Sequence, residues 1–509
     1  MENKFMTGLK AANNYTLTEN GAVTYKSTMN ALLDMFAMGA AYRTRSEEDC
    51  ILLFKNAFLE DPVYALKCLF YLGDCRGGQG ERRFFRVCAK WLATFDKEAM
   101  RRNLINIPEY RRWDDLFVFI GTPLEKDALN IVKHQLALDV QCKTPSLLGK
   151  WMPSENTSSV KTRQKAAAVR RYLGMTSREY RKVLSELRKR INVLERLMSE
   201  GRWDEIEFDK IPSKAGLKYK NAFARHDIER VKANPEVKTY KEFAEDKNTK
   251  VNAGVLYPYD VVDKAIKVMG CSRWGYRDNT APMSDTDRLM VNKYWENLED
   301  YFKDKQFNGM AVVDTSASMR GTTADAPINV AISLGMYCAE HAKGPFAGHY
   351  ISFSSRPQLI KVEGVDFCDK VARVWRTNLC ENTNIKATFD MLLRTAKANH
   401  CTQEDLPAVL LVMSDMEFDY GSECRNRNQI YTLMETIRDE WARAGYRLPH
   451  LVYWNIQARQ NNIPEGLGSG KVSFVSGCSP AILEQILTGK TGVKLMLDKL
   501  DSPRYEAVR

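Results

Sequence analysis

Histidine is scarce in this chain, with six residues in 509, and no two of them stand in a His-x-x-x-His or Cys/His ligand spacing. The twelve cysteines are scattered without a Cys-x-x-Cys, Cys68 and Cys75 being the closest pair. These absences argue against a structural zinc. Isolated cysteines read instead as small buried hydrophobes of a reducing compartment. Long apolar runs are missing too. The opening Met1-Glu2-Asn3-Lys4-Phe5 lacks the apolar core of a signal peptide. Stretches such as Ala408 to Met413 fall far short of the ~20 residues that cross a bilayer. The glycine-rich Gly77 to Gly80 is not followed by the Gly-Lys-Ser/Thr of a P-loop. No Ser-His-Asp or Cys-His spacing stands out. The expectation is a cytoplasmic protein with no membrane partner and no catalytic role.

What is present is an ordinary globular balance, 44% hydrophobic and 27% charged. The most informative stretch is Met310-Ala-Val-Val-Asp314-Thr-Ser316-Ala-Ser318. An apolar run ends in three oxygen side chains at alternate positions, as a buried parallel strand would end in a site for a hard cation. Mg²⁺ takes about six oxygens and usually keeps several waters, so one carboxylate and two hydroxyls need help from other loops. Two are on offer. Glu381-Asn382-Thr383-Asn384 precedes a helical stretch and supplies the Thr383 hydroxyl. Leu410 to Asp415 is a second buried-strand pattern ending in a carboxylate. Open α/β sheets place their ligands at such carboxyl ends. The candidate metal ligands are therefore Asp314, Ser316, Ser318, Thr383 and Asp415, with Mg²⁺ expected and Mn²⁺ or Ca²⁺ as alternatives. With only two carboxylates among five oxygen side chains, the dication is expected to keep an appetite for one more anionic oxygen from outside. The set also offers too few carboxylates for two cations about 4 Å apart, which weighs against a two-metal nuclease.

The chain divides near residue 305. From 305 to 509 strands and helices alternate: strands over Met310–Val313, Gly348–Phe353, Pro357–Val362, Ala408–Met413, Leu448–Ile456 and Val472–Ser476, and helices over Ala326–Ala342, Val365–Trp375, Asn384–Ala398, Gln429–Ala444 and Pro480–Leu487. That alternation predicts a doubly wound, mostly parallel α/β sheet. From 1 to 304 helical periodicity dominates, with apolar residues three and four apart over Pro62–Leu72, Gly80–Phe95, Leu124–Leu138 and Glu179–Ser199. The last opens with Thr176 and Glu179 in capping-box spacing and closes at Gly201. Helices of similar length suggest stacked helical hairpins, a helical-repeat half, with an irregular helical domain as the alternative.

Positive charge is concentrated. Residues 161–225 hold 18 Lys and Arg against 8 Asp and Glu, an excess of ten, where the whole chain carries 75 against 64. The candidate nucleic-acid contacts are Lys161, Arg163, Lys165, Arg170 and Arg171; Arg181, Lys182, Arg188 and Lys189; and Lys214, Lys218 and Lys220. Tyr219 and Phe223 lie among the last group. Bases with aromatics suit a phosphate backbone carrying stacked bases, and RNA with single-stranded or irregular segments fits better than duplex DNA. A solvated helix face is the bland alternative. Arg76, Arg82 and Arg83 read as partners of Asp74 and Glu81, with phosphate contacts as the alternative, and Trp113 reads as core, with Arg111 and Arg112 beside it as candidate RNA contacts.

The spacing Asp314-x-Ser316-x-Ser318, then Thr383, then Asp415 resembles the metal-ion-dependent adhesion site of von Willebrand factor A domains. In that family the first-loop Asp and Ser and the Thr bind the metal directly or through water, and the last Asp usually through water. Here Glu381-Asn382 stand where glycines often precede the Thr. A basic helical half joined to an intracellular A domain resembles the Ro autoantigen family, in which helical repeats called the TROVE module form a ring. More closely, the chain resembles a branch of plants, fungi and large DNA viruses, phages included. The segments Asp74–Arg82, Arg112–Leu116, Ile211–Ala215, Val313–Met319, Ser414–Phe418 and Ser476–Pro480 carry that likeness. The resemblance implies a TROVE- or HEAT-like helical half, an A domain, and a scaffold or chaperone for structured or single-stranded noncoding RNA, with an acidic protein partner at the metal site. The alternative is a metal-dependent protein-interaction module without nucleic acid.

Overall fold

The computed structural model describes residues 13–270, 284–303, 305, 307–321, 323–353, 356–377, 382–419, 432–467 and 471–509. Residues up to about 300 are largely helical, and local chemistry explains where the helices begin and end. Ser46 caps Glu47–Glu60 by accepting the Asp49 N–H, and Glu47, Glu48 and Asp49 fill the first turn. Asp61 ends that helix and caps the next, Pro62–Gly73, with proline at its first position. The Thr176–Glu179 capping box forms as the spacing predicts. The helix it opens does not run to Ser199. It stops at Arg190, and a separate helix spans Leu194–Ser199. Asn192 sits in the left-handed region (φ 50°). Its N–H bonds to Lys189 O and that of Val193 to Arg188 O, a Schellman closure that asparagine tolerates. The apolar stripe continued across the break and hid it. The helix expected from Gly80 begins instead at Arg82, capped by Glu81.

The second half is a six-stranded sheet of β3 (Gly309–Asp314), β4 (His349–Phe353), β5 (Gln358–Lys361), β6 (Val409–Ser414), β7 (His450–Asn455) and β8 (Val472–Ser476), in spatial order β5-β4-β3-β6-β7-β8. All neighbours are parallel except β4 with β5. The strand β5 is the largely exposed edge, as Pro357 at its start suggested. The chain enters the sheet at β3, winds outward to β5, then returns beside β3 as β6. The switch point of the winding therefore lies between the carboxyl ends of β3 and β6, where doubly wound sheets form ligand crevices. The helix Pro327–His341 covers β3 and β4 and packs in turn on Pro258–Val268 from the helical half. Buried side chains form one continuous core through both halves. No helix among the described residues is long and apolar enough to cross a membrane, and none of the nine described cysteines is disulfide-bonded.

The halves exchange segments. A short antiparallel hairpin, β1 (Tyr15–Leu17) and β2 (Val23–Tyr25), lies on the α/β half, where Tyr25 and Ile463 exchange backbone hydrogen bonds. The helix Ala31–Met38 follows it onto β8: Ser476 Oγ donates to Phe36 O, and Ala40 N–H donates back to Ser476 Oγ. In the other direction, residues 503–509 lie on the helical half. Asp74, fully buried, accepts from the Arg504 guanidinium, from Tyr505 OH at 3.0 Å and from the Arg76 N–H at 2.9 Å. Gln79 Oε1 accepts the Ser479 N–H at 3.0 Å while its amide donates to Tyr71 OH. Gly477, at φ +106°, leaves no room for a Cβ, which would meet Gln79 Oε1 at 2.4 Å. Asp74→Ala strands the half-buried Arg504 guanidinium and two further donors. It should lower stability by about 2 kcal/mol, read from the urea midpoint at unchanged slope; a shift of a few tenths would show that the exchange carries little energy.

Candidate metal centre and basic cleft

β3 and β6 run side by side for five paired residues, which brings Asp314 at the end of one next to Ser414 and Asp415 at the end of the other. Hydrogen bonds organise much of this rim. Ser316 N–H donates to Asp314 Oδ1 at 2.9 Å, and Ser414 Oγ donates to Asp314 Oδ2. The Ser316 and Ser318 hydroxyls lie 3.0 Å apart, and Ser318 hydrogen-bonds Asp415. Met416 then takes a left-handed conformation, φ 65°, which costs a non-glycine residue roughly 1–2 kcal/mol. Its N–H bonds to Ser414 Oγ and that of Glu417 to Asp415 Oδ1, so the turn doubles back and presents Asp415 and Glu417 together.

Thr383 is buried and tied to the same loop: its N–H donates to Asp419 Oδ2, and the Asp419 N–H donates to Thr383 O, both at 3.0 Å. Asn384 caps the helix Ile385–Ala398 that follows. Glu381, read with this loop, lies outside the described residues, as do residues 429–431 of the helix expected from Gln429.

The electrostatics fit a cation. Asp314, Asp415 and Glu417 are all within 2% of full burial. Burial, then the charge of Asp415, holds the Asp314 carboxyl above its ordinary range. Burial likewise raises Asp415, with Ser318, the Glu417 amide and Arg459 opposing it. Burial pushes Glu417 up to about 7. Asp415 Oδ2 and Glu417 Oε1 have no hydrogen-bond partner among the described residues, and the cation near Asp415 is Arg459, whose Nη1 stands 4.0 Å from Oδ2. A buried carboxylate oxygen without a partner is costly, and a hard dication would relieve it. Among the described residues no three His, Cys, Asp or Glu side chains converge as a metal-holding group. The donors beyond Asp314 and Asp415 would then be the hydroxyls of Ser316, Ser318 and Thr383, with water.

A second feature lies in the helical half. A cleft of about 1660 Å³ is walled by segments between Gly73 and Tyr257. Several of its arginines serve the fold. Arg111 and Asp115 form a buried pair at 2.9 Å. Arg82 and Arg112 pair with Asp114, and Arg112 also stacks over Trp151 at 4.0 Å. Arg82 thus finds Asp114 rather than the expected Asp74 or Glu81; Asp74 is taken by Arg504, and Glu81 caps its helix. Arg188 donates to Gly149 O, Met152 O and Ser154 Oγ. Another group pairs with no carboxylate among the described residues: Arg76, Lys150, Arg178, Arg181, Lys182 and Lys218 all line the cleft, and all but the half-buried Lys150 are exposed. Trp113, Trp151, Tyr219 and Tyr257 stand half-buried on the same walls.

Of the basic residues singled out in sequence, Arg181, Lys182, Arg188, Lys214 and Lys218 face this cleft. Lys161, Arg163, Lys165, Arg170, Arg171, Lys189 and Lys220 do not line it. Arg163 holds the Thr157 and Ser158 carbonyls, Arg170 pairs with Glu155 and Lys220 with Asp287. Sequence reasoning missed Lys150, Trp151, Arg178 and Tyr257. The adjacency of Lys150 and Trp151 was a usable signal, but it lies outside the basic segment.

Two family models match this chain. One, described as a domain of unknown function (DUF2828), covers residues 18–167 and 124–306; the other, described as a domain of unknown function (DUF7788), covers residues 308–502. An uncharacterized protein of Acanthamoeba polyphaga mimivirus is 28% identical over 519 residues, spanning 94% of this chain and 85% of its own.

The raised carboxyls give a signed prediction. Glu417 has an ordinary value of 4.5 and is held near 7, so between those pH values the folded chain binds more protons than the unfolded one. Stability therefore falls as pH rises through that window, by about 3 kcal/mol from this group, and the raised Asp314 and Asp415 add in the same direction. Without divalent cation the thermal midpoint should drop from pH 5.5 to 8. Excess Mg²⁺ should raise it most at pH 8, where the carboxylates are free of protons. A profile that is flat with pH and indifferent to Mg²⁺ would contradict the site.

Proposed function

The chain belongs to the DUF2828 family, and from that premise and the geometry above we propose that it is an RNA-binding scaffold or chaperone whose α/β half carries a divalent-cation docking site. The observation that carries this reading is the cleft. It combines six cations that form no ion pair among the described residues with four half-buried aromatic rings. An unpaired cation on a concave wall retains its attraction for phosphate, and a half-exposed ring offers a face on which a base stacks. Aromatic rings set among the cations favour single-stranded or looped RNA, whose bases are free to stack, over a duplex. The Ro-like arrangement of a basic helical half beside an A-like domain supports the same reading.

At the metal site, a bound Mg²⁺ or Mn²⁺ would supply a positive charge and about one more coordination position than the five oxygen side chains fill. Asp314 and Asp415 would hold it, Ser316, Ser318 and Thr383 would complete its oxygen shell, and an acidic side chain of a partner would add the remaining anion. The set is rich in hydroxyls, and the nearby Glu417 is engaged by the Glu19 amide, which favours docking over hydrolysis.

The test reverses charge in the cleft. Arg178→Glu, Arg181→Glu and Lys182→Glu together should weaken binding of a single-stranded RNA oligonucleotide at least tenfold and flatten the slope of log affinity against log salt by about two. The thermal midpoint should hold, since all three side chains are exposed. Unchanged affinity and slope would remove the cleft from the reading. Clean protein with no RNA affinity at low salt would favour the interaction-module alternative.

A further inference from the structure

The turn of the β1–β2 hairpin sits on the loop that follows β6. Thr18 Oγ1 donates to Phe418 O at 2.7 Å, the Glu19 N–H to Glu417 Oε2 at 2.7 Å and Asn20 Nδ2 to Glu417 O at 2.6 Å, while Gly21 forms a bridge with Asp419. A three-pair hairpin is marginal alone, so these contacts and the Tyr25–Ile463 pairing hold it in place. The Glu19 carboxylate is not one of these fasteners. It reaches Arg459 at 2.8 Å, and the other arm of that guanidinium stands 4.0 Å from Asp415 Oδ2. Glu19 and Arg459 are each about a third exposed, whereas Asp415 is buried.

The charges thus run negative, positive, negative from Asp415 through Arg459 to Glu19. A dication held by Asp314 and Asp415 repels the guanidinium beside it and attracts the carboxylate beyond. We infer that Glu19 is the chain's own anion for the metal site, so that the hairpin turn is a built-in occupant of the docking face and an acidic partner must displace it. This rests on the metal reading above and extends it. The fasteners to residues 417–419 place the turn, and Glu19 supplies the charge. The partner that fits this face is an acidic turn or extended segment offering one carboxylate at the rim and polar side chains to the Glu417 and Phe418 carbonyls.

The test uses the full chain and Mn²⁺. Calorimetric titration should show uptake by the wild type, uptake at least roughly tenfold weaker by Glu19→Gln, partial recovery in Glu19→Asp, and none in Asp415→Asn. Hydrogen exchange supplies a readout independent of affinity: Mg²⁺ should slow exchange of residues 18–22 in the wild type and leave it unchanged in Glu19→Gln. Equal Mn²⁺ affinity in wild type and Glu19→Gln, with equal Mg²⁺ protection of the turn, would overturn the self-ligand while leaving the metal site standing. Undiminished uptake by Asp415→Asn would overturn the metal site itself, and the inference with it.

Discussion

The two halves of this molecule depend on an exchange of segments. Residues 15–41 belong in sequence to the helical half yet lie on the sheet, and residues 503–509 follow the sheet yet lie on the helices. Asp74 and Gln79 anchor the trade from one short turn. The first neutralises Arg504 and accepts Tyr505; the second receives the Ser479 amide. Both candidate sites are built on these fasteners. The turn that contains Asp74 and Gln79 contributes Arg76 and Gly80 to the cleft wall, and the hairpin carried across in the opposite direction closes over the loop that holds Asp415. The docking of the halves thereby shapes the cleft and roofs the carboxylate rim at the ends of β3 and β6, and one buried core runs through both halves.

The two sites have opposite electrostatic characters, and each follows from where charge is left uncompensated. At the ends of β3 and β6, carboxylates are buried faster than cations are supplied, and the deficit is one of positive charge. In the cleft, Asp114 and Asp115 neutralise the inner arginines, whereas Arg178, Arg181 and Lys182 on the helix Ser177–Arg190 form no ion pair among the described residues, although Glu155, Glu195 and Glu200 also line the wall. Net charge alone does not distinguish these cases. Lys220 and Arg170 count equally with Lys182 in the composition, yet the first two are spent on Asp287 and Glu155.

Much of this was legible in the sequence. Apolar runs ending in Asp314 and Asp415 specified both strands and where they end, because a strand buried on both faces must be apolar until the sheet stops. The capping box at Thr176 and the edge position of β5 were readable for equally local reasons. What escaped was non-local or conformational. Glu417 looked unremarkable because its partner, the Glu19 amide, is 398 residues away. Arg82 met Asp114 because an intervening helix folds back, which no spacing rule encodes. The break at Asn192 was hidden because its apolar neighbours keep helical phase while one left-handed residue turns the chain. Lys150 and Trp151 fell outside the basic window because a concave wall gathers residues by geometry rather than by run length.

Ultraviolet cross-linking of the full chain to a single-stranded RNA, with the adducts mapped by mass spectrometry, tests the central claim most directly. Adducts should fall on Trp113, Trp151, Tyr219 and Tyr257, and on peptides containing Arg178 to Lys182. Adducts confined to the outer face around Lys161 to Arg171, with the cleft aromatics unmodified, would contradict it.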